Sequence, residues 1–235
     1  MPLRETDWLE KNINKVKIID CSWHMPQTNR DGFKEYKKRH IENAIFFDLD
    51  ENSKKNTHLP HMLVEIDVWE KIVSKMGITN DDEIIIYDNS DVISSCRCWF
   101  NFIYFGHDPK LVHVLNGGLT KWVDERRKVT DETRKVKISN YKSFEKIDLV
   151  KTKKLIDQNI DKQIFKVIDA RSLERFKGQV QEPRKGLRSG NIKNSMCIPF
   201  QNCLNKNKTF KNKDELIAVF KTCLKNLNEK NIVFS

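Results

Sequence analysis

The sequence predicts an α/β fold in which parallel sheets are flanked by helices, and two observations support this prediction. Short uninterrupted apolar runs such as Ile84-Ile85-Ile86-Tyr87 are typical of strands buried on both faces, as parallel sheets require. Segments with apolar residues at helical spacing, such as 67–76, alternate with these runs along the chain. Alternation of short strands and helices is characteristic of α/β domains with a parallel sheet.

The first half of the chain supplies most of these elements. Buried strands are predicted over 16–20, 44–47, 84–88 and 112–115. Helices are predicted over 67–76 and 99–105, each followed by a glycine that favours a helix end, and over 119–125. The segment 32–40 is compatible with either a helix or an extended connector.

The same pattern then begins again about 150 residues later. Residues 166–169 correspond to 17–20 at an offset of 149, and residues 232–235 correspond to 84–87 at an offset of 148. Between them, 191–200 corresponds to 40–47 at an offset near 151. Three matches in the same order at a nearly constant offset indicate a duplicated domain rather than chance.

The repeat predicts a domain organisation. We expect a first domain over 1–130, a polar, lysine-rich linker over 131–148 and a second domain over 149–235. The second copy stops one position short of the residue that corresponds to Asp88, after which the first copy continues to about Lys128. We therefore expect the second domain to be incomplete.

Charge narrows the classes of partner. The formal net charge is +10 at pH 7, and residues 131–235 contain 24 lysines and arginines against 12 acidic residues. Such a balance suits nucleic acid, an acidic partner or small anions. The lysines are scattered, however, and no aromatic residues interleave with them as a stacking platform for nucleic acid requires. We therefore expect a small anion rather than nucleic acid.

Other features exclude further classes. The first ten residues are charged and resemble no secretory signal, and no apolar run approaches the roughly 20 residues needed to cross a bilayer. These features predict a cytoplasmic protein without membrane contact. The six cysteines have no metal-ligand spacing, so we expect free thiols and no metal site. We also expect a monomer that needs no cofactor.

The stretch 169–190 is the strongest candidate for a binding site. Four arginines and two lysines lie between Arg171 and Arg188, interrupted by Gly178, Pro183 and Gly186. The glycines and the proline disfavour a continuous helix, so the arginines are expected on an irregular loop after the strand 165–168. Guanidinium groups in this position can grip a small carboxylate or sulfur oxyanion bidentately. The alternative is a solvated basic loop.

These motifs resemble the two-domain rhodanese family, and specifically the 3-mercaptopyruvate and thiosulfate sulfurtransferases. The resemblance extends from about Val16 to Ser235, with Ile41-Glu42-Asn43-Ala44 and Ile192-Lys193-Asn194-Ser195 departing mildly from the family's His-Ile-Pro-Gly-Ala pattern. The stretches that carry it are Asp20-Cys21-Ser22-Trp23-His24-Met25-Pro26, residues 39–50, Pro60-His61-Met62-Leu63, residues 104–108, residues 115–122, Arg175-Phe176-Lys177-Gly178, residues 182–190 and Ile198-Pro199-Phe200.

The resemblance implies an enzyme that moves sulfur. In the family a cysteine thiolate takes sulfur from 3-mercaptopyruvate or thiosulfate, holds it as a persulfide and passes it to cyanide or another thiol. The resemblance implies that Arg175 and Arg184 bind the donor's anionic group. It also implies that Asp50 and His61 lie at the domain interface, where the carboxylate orients a histidine that polarises or protonates the donor. From the residues alone, each arginine could instead tie its loop to a carbonyl, and His61 could be a surface residue beside Pro60.

One departure from the family concerns the nucleophile. The resemblance implies a cysteine directly after the strand 232–235, opening a Cys-Gly-Ser-Gly-Val-Thr type of loop whose N–H groups lower the thiol pKa. The sequence stops at Ser235, so we expect a chain truncated before this loop. Cys96 lies eight residues after Asp88, too far along the chain to replace the nucleophile, and we expect it to have a packing role.

Three functional hypotheses follow. The first is a sulfurtransferase of the 3-mercaptopyruvate/thiosulfate class that is inactive as this chain. The second is an inactive remnant or a small-anion-binding module with the same fold. The third, a nucleic-acid binder using the basic second half, predicts binding that falls steeply with salt.

Overall fold

A computed structural model describes residues 2–183, 186–229 and 231–235. The chain divides into two compact units, Met1–Leu149 and Val150–Ser235. Both units contain parallel β-pairing and helices, which confirms the predicted α/β class.

The first unit is built on a five-stranded sheet with the strand order β1-β6-β5-β2-β4, in which every neighbouring pair is parallel. A separate antiparallel pair is formed by β3 and β7. The central strands are apolar on both faces, which is why they occupy the middle of the sheet. The strands are β1 (Leu3–Arg4), β2 (Lys17–Asp20), β3 (His40–Ile41), β4 (Ala44–Phe46), β5 (Ile84–Tyr87), β6 (Val112–Leu115) and β7 (Val129–Thr130).

Helices pack on the sheet of the first unit and bury two apolar clusters. One cluster includes Trp69, whose ring stacks on that of Phe105 with centroids 4.8 Å apart, and the other includes Trp122 and Leu9. Large aromatic side chains bury the most apolar area per residue, so these clusters dominate the stability of the unit. The helices are α1 (Thr6–Asn12), α2 (Gly32–Lys38), α3 (Ile66–Lys75), α4 (Ser94–Tyr104) and α5 (Gly118–Asp124).

The segment predicted as a linker, 131–148, belongs to the first unit in this structure. Tyr141 is 1% exposed and lies in the same apolar cluster as Trp69. The backbone N–H of Ser139 donates to the carbonyl of Ser74 at 3.0 Å. The segment lacks a helical or alternating apolar period because its few buried side chains contact α3 individually.

The second unit contains a parallel three-stranded sheet with the order β10-β8-β9. This order matches that of β5-β2-β4 in the first unit, so the repeat in the sequence corresponds to a repeat in strand pairing. Its buried cluster is small and is centred on Ile168, Ile198 and Leu224. The elements are α6 (Lys153–Lys162), β8 (Lys166–Asp169), α7 (Leu173–Phe176), β9 (Met196–Cys197), α8 (Lys213–Lys221) and β10 (Ile232–Phe234).

Two local differences from the sequence prediction matter for the site. Arg175 lies in α7, a single helical turn capped by the Ser172 side chain, rather than on an irregular loop. Helix α4 begins at Ser94, five residues before the predicted start, because its first turn is polar and gives no apolar signal. In the described part of the chain, we find no helix with the length and apolarity that a membrane crossing requires.

Candidate active site

Asp50 and His61, the predicted catalytic pair, are in direct contact in the first unit. His61 Nε2 lies 2.8 Å from Asp50 Oδ1, and the Trp23 indole N–H donates to Asp50 Oδ2, also at 2.8 Å. Because an ionised carboxylate only accepts hydrogen bonds, this contact places the imidazole proton on Nε2. The Trp23 ring stands edge-on to the His61 ring, with centroids 4.8 Å apart. Together these contacts restrict the orientation of the imidazole.

A hydrogen bond from Arg97 also fixes the backbone of His61. His61 has a left-handed backbone with φ of +54°, a conformation that costs free energy in a non-glycine residue. The Arg97 guanidinium donates to the His61 carbonyl and stabilises this conformation. Burial lowers the pKa of Arg97, whose charge is therefore partly desolvated.

These residues line a pocket of 370 Å³ beside the pair. The His61 side chain is 16% exposed whereas that of Asp50 is 65% exposed, so the histidine lies toward the protein and the carboxylate toward solvent. Nδ1 of His61 has no hydrogen-bond partner among the described residues and is free to exchange a proton with a bound molecule. The pocket is lined mainly by Trp23, Leu49, Pro60, His61, Met62, Ile93, Ser94 and Arg97.

In the second unit, Arg175 is paired with an internal carboxylate. Its Nη2 and Nε lie 2.5 Å and 3.3 Å from the two oxygens of Glu182. Arg171 Nη1 donates to the same carboxylate at 2.8 Å, and the Glu182 side chain is only 3% exposed. The hydrogen bonds from Arg175 hold the pKa of Glu182 below its usual value, so Glu182 is ionised at neutral pH. Arg184, the other predicted donor-binding residue, lies outside the described residues.

The first unit shows how the strand-to-helix loop of this fold holds an anion. Asp88 follows β5 and accepts the backbone N–H groups of Ser90 and Ser95, at 2.8 Å and 2.9 Å. Ser95 lies in the first turn of α4, where the helix dipole favours negative charge. A carboxylate therefore occupies the position that corresponds to the nucleophile expected after β10.

Cys96 is a poor nucleophile in this environment. Burial is the main cause that raises the pKa of its thiol to about 12, and the negative charge of Asp88 adds to this effect. The thiol is therefore protonated near neutral pH. This agrees with a packing role for Cys96.

We predict that Cys96 in the folded chain reacts with iodoacetamide at pH 8 at least 100-fold more slowly than an unhindered thiol. With a pKa of about 12, only about one thiol in 10,000 is ionised at this pH. Labelling can be followed residue by residue with mass spectrometry of proteolytic peptides. The chain unfolded in guanidinium chloride serves as the control, since Cys96 should there label as fast as the other cysteines. Rapid labelling in the folded state would contradict this environment.

Comparison with known proteins identifies the family. The family model described as "Rhodanese-like domain" matches residues 5–125. A thiosulfate sulfurtransferase from Mus musculus is 34% identical over 227 residues, which cover 93% of this chain and 75% of the relative. The chain belongs to the rhodanese-like family of 3-mercaptopyruvate and thiosulfate sulfurtransferases. The predicted family is thereby confirmed.

Other members of this family agree. The thiosulfate/3-mercaptopyruvate sulfurtransferase 1, mitochondrial, from Arabidopsis thaliana is 37% identical over 222 residues. These cover 85% of this rhodanese-like chain but only 58% of the relative's length. The crystal structure of SseA from Escherichia coli, described as having the rhodanese fold of 3-mercaptopyruvate sulfotransferases, superposes with a TM-score of 0.89 at 25% identity. That match covers 100% of this chain and 87% of SseA.

Sequence patterns alone did not identify three residues that complete the rhodanese-like site. Trp23 and Arg97 support the Asp50–His61 pair, and Glu182 is bonded to Arg171 and Arg175. Trp23 and Glu182 lie in the motifs quoted above. The contact that each makes spans a loop, however, and such a contact leaves no periodic pattern in the sequence. Among the described residues, no group of three or more His, Cys, Asp or Glu side chains could hold a metal ion.

Proposed function

We propose that the chain acts in sulfur transfer from a small anionic donor, 3-mercaptopyruvate or thiosulfate, to a thiol or cyanide. The observation that carries this proposal is Arg175, which Glu182 links to Arg171 at the carboxyl end of β8, in a chain of this family. Ligands of parallel α/β sheets bind at the carboxyl ends of the strands, and guanidinium groups match carboxylate and sulfonate oxygens.

The proposed chemistry divides among a nucleophile, an anion-binding residue and a proton donor. In the family, a cysteine directly after the strand that corresponds to 232–235 attacks the transferable sulfur of the donor, forms a persulfide and releases pyruvate or sulfite. Arg175, together with Arg184, binds the donor's carboxylate or sulfonate. His61, held by Asp50 at Nε2, takes up a proton at Nδ1 and, as the imidazolium, supplies this proton to the group that leaves. The sulfur acceptor then attacks the outer sulfur of the persulfide and regenerates the thiol.

None of the six cysteines in these 235 residues lies directly after β10. We therefore predict that a polypeptide of these residues alone forms no thiocyanate from cyanide with either donor. Thiocyanate can be measured as its coloured iron(III) complex, and persulfides can be detected by mass spectrometry after incubation with donor. A persulfide on any of the six cysteines, or sustained turnover, would contradict this prediction. A full-length family member assayed in parallel serves as the positive control.

The proposed donor class can be tested on the chain without catalysis. Pyruvate retains the carboxylate of 3-mercaptopyruvate but lacks its sulfur, and thiosulfate is itself a donor. We expect both to bind at millimolar concentration or below and to shift the side-chain N–H signals of Arg175 in NMR spectra. Binding of neither anion would refute the proposal and leave a module of this fold without a donor site.

We propose that the chain is a cytoplasmic monomer without membrane contact. We also propose that it does not bind nucleic acid, since its positive charge is not arranged as an aromatic-lined stripe. A small-anion-binding module without turnover is the alternative function, and it is favoured by the same cysteine positions that predict inactivity.

A further inference from the structure

Glu182 and Asp169 together neutralise the arginine pair of the second unit. Arg171 directs Nε and Nη2 to the Asp169 carboxylate, at 3.0 Å and 2.5 Å, and Nη2 also donates to the Gly190 carbonyl at 2.9 Å. Its remaining nitrogen, Nη1, donates to Glu182. Every nitrogen of the Arg171 guanidinium is therefore engaged inside the protein.

Arg175 is engaged on one edge only. A guanidinium group has two edges that can bind a carboxylate bidentately, one formed by Nε and Nη2 and the other by Nη1 and Nη2. Glu182 occupies the first edge of Arg175. Nη1 makes no hydrogen bond to any described residue, and the Arg175 side chain is 31% exposed. The second edge is thus the one that can receive an external anion.

An anion on that edge lies close to a buried negative charge. The carboxylate of Glu182 contacts the adjacent edge of the same planar group, so about 6–7 Å separates the two anions. Two charges at this distance near a protein surface repel each other appreciably, and the repulsion scales with the charge of the ligand. Glu182 therefore penalises a dianion more than a monoanion and offsets part of the stronger attraction that Arg175 exerts on the dianion.

We propose that Glu182 is a specificity-determining residue, which orients the open edge of Arg175 and reduces the affinity of dianionic sulfur oxyanions relative to that of monoanionic carboxylates. The inference rests on the proposed function, because it concerns the donor that Arg175 binds. It implies that Glu182 shifts the relative affinity away from thiosulfate, a dianion, and toward 3-mercaptopyruvate, a monoanion. Neither the family membership nor the presence of Arg175 distinguishes these two donors.

The test compares two anions in two variants that lose the same charge. Glu182→Gln keeps the shape of the side chain and removes its charge, whereas Glu174→Gln removes the charge of an exposed residue on α7 that does not contact the Arg175 guanidinium. Dissociation constants for pyruvate and thiosulfate are measured by NMR titration at constant ionic strength. We expect Glu182→Gln to improve thiosulfate affinity relative to pyruvate by about 3–10-fold, and Glu174→Gln to change this ratio less than twofold.

The outcomes separate the inference from the proposed function. An unchanged affinity ratio in Glu182→Gln, or an equal loss for both anions, would overturn the specificity role. If the Arg175→Gln variant bound both anions as tightly as the native chain does, the proposed function itself would fail. Folding of each variant is checked by circular dichroism. If Glu182→Gln unfolds, Glu182→Ser replaces it, because water can then form hydrogen bonds with both Arg171 and Arg175. Glu182→Asp keeps the charge and should preserve the native ratio.

Discussion

Arg175→Gln is expected to weaken the binding of pyruvate and thiosulfate by at least tenfold. The substitution removes a cation whose open edge can form two charge-assisted hydrogen bonds, and a bond to a charged group contributes about 1.5–3 kcal/mol. Glu182 keeps its hydrogen bond from Arg171 in this variant, so the loop retains one of its two anchors. Dissociation constants from NMR titration or calorimetry measure the effect.

Arg188→Gln is the matched control for Arg175→Gln. Arg188 lies in the same basic stretch and is exposed, and no described residue forms a hydrogen bond or an ion pair with it. The Arg188→Gln substitution removes the same charge from the same part of the chain, and we expect it to change the affinity for pyruvate and thiosulfate less than twofold. Equal losses in the two variants would show that the basic stretch attracts anions only through its overall charge.

Gly118→Ala is expected to lower the free energy of unfolding of the first unit by about 2–4 kcal/mol. Gly118 has a φ of +55°, and a Cβ atom there would lie 2.4 Å from the Asp88 carbonyl oxygen. The left-handed conformation costs an alanine about 1–2 kcal/mol, and relieving the overlap with a packed backbone adds a similar amount. The N-terminus of α5 approaches the loop after β5 closely here, since the Leu119 N–H donates to the Asp88 carbonyl at 3.0 Å.

Denaturant unfolding followed by tryptophan fluorescence measures this change, because all five tryptophans lie in residues 1–149. Asn29→Ala is the control. Asn29 has a similar φ of +53° but is exposed, so it tests the backbone conformation without the steric overlap. We expect a loss of roughly 1 kcal/mol for the control. Equal losses in the two variants would show that the close approach at Gly118 contributes nothing.

Parts of the fold were predictable because they depend on local composition. The strand β5 is a continuous apolar run and β2 and β8 each contain a shorter one, and the limits of all three match the predicted ones to within a residue. The β3–β7 pair was not predicted, because each strand has only two residues and its partner is distant in sequence. The segment around Tyr141 was predicted as a linker for the same reason, since single buried contacts leave no period.

The candidate site was likewise predictable only where it depends on local sequence. Arg175 and the Asp50–His61 pair were predicted from the motifs that carry the family resemblance, which are local and can be read as residue types in order. Their states were not predictable, because each depends on a partner from another segment. Trp23 fixes Asp50 across 27 positions of sequence, Arg97 holds His61 across 36 positions, and Glu182 occupies one edge of Arg175.

The sequence by itself therefore determined the α/β class, the repeat, the family resemblance and the types of group available for binding a small anion. Only the tertiary structure decided which edge of Arg175 is open, which nitrogen of His61 is free and which carboxylate pairs with Arg175. The physical reason is that residue type sets charge and hydrogen-bonding capacity. The use of that capacity depends on the distances between atoms that folding brings together.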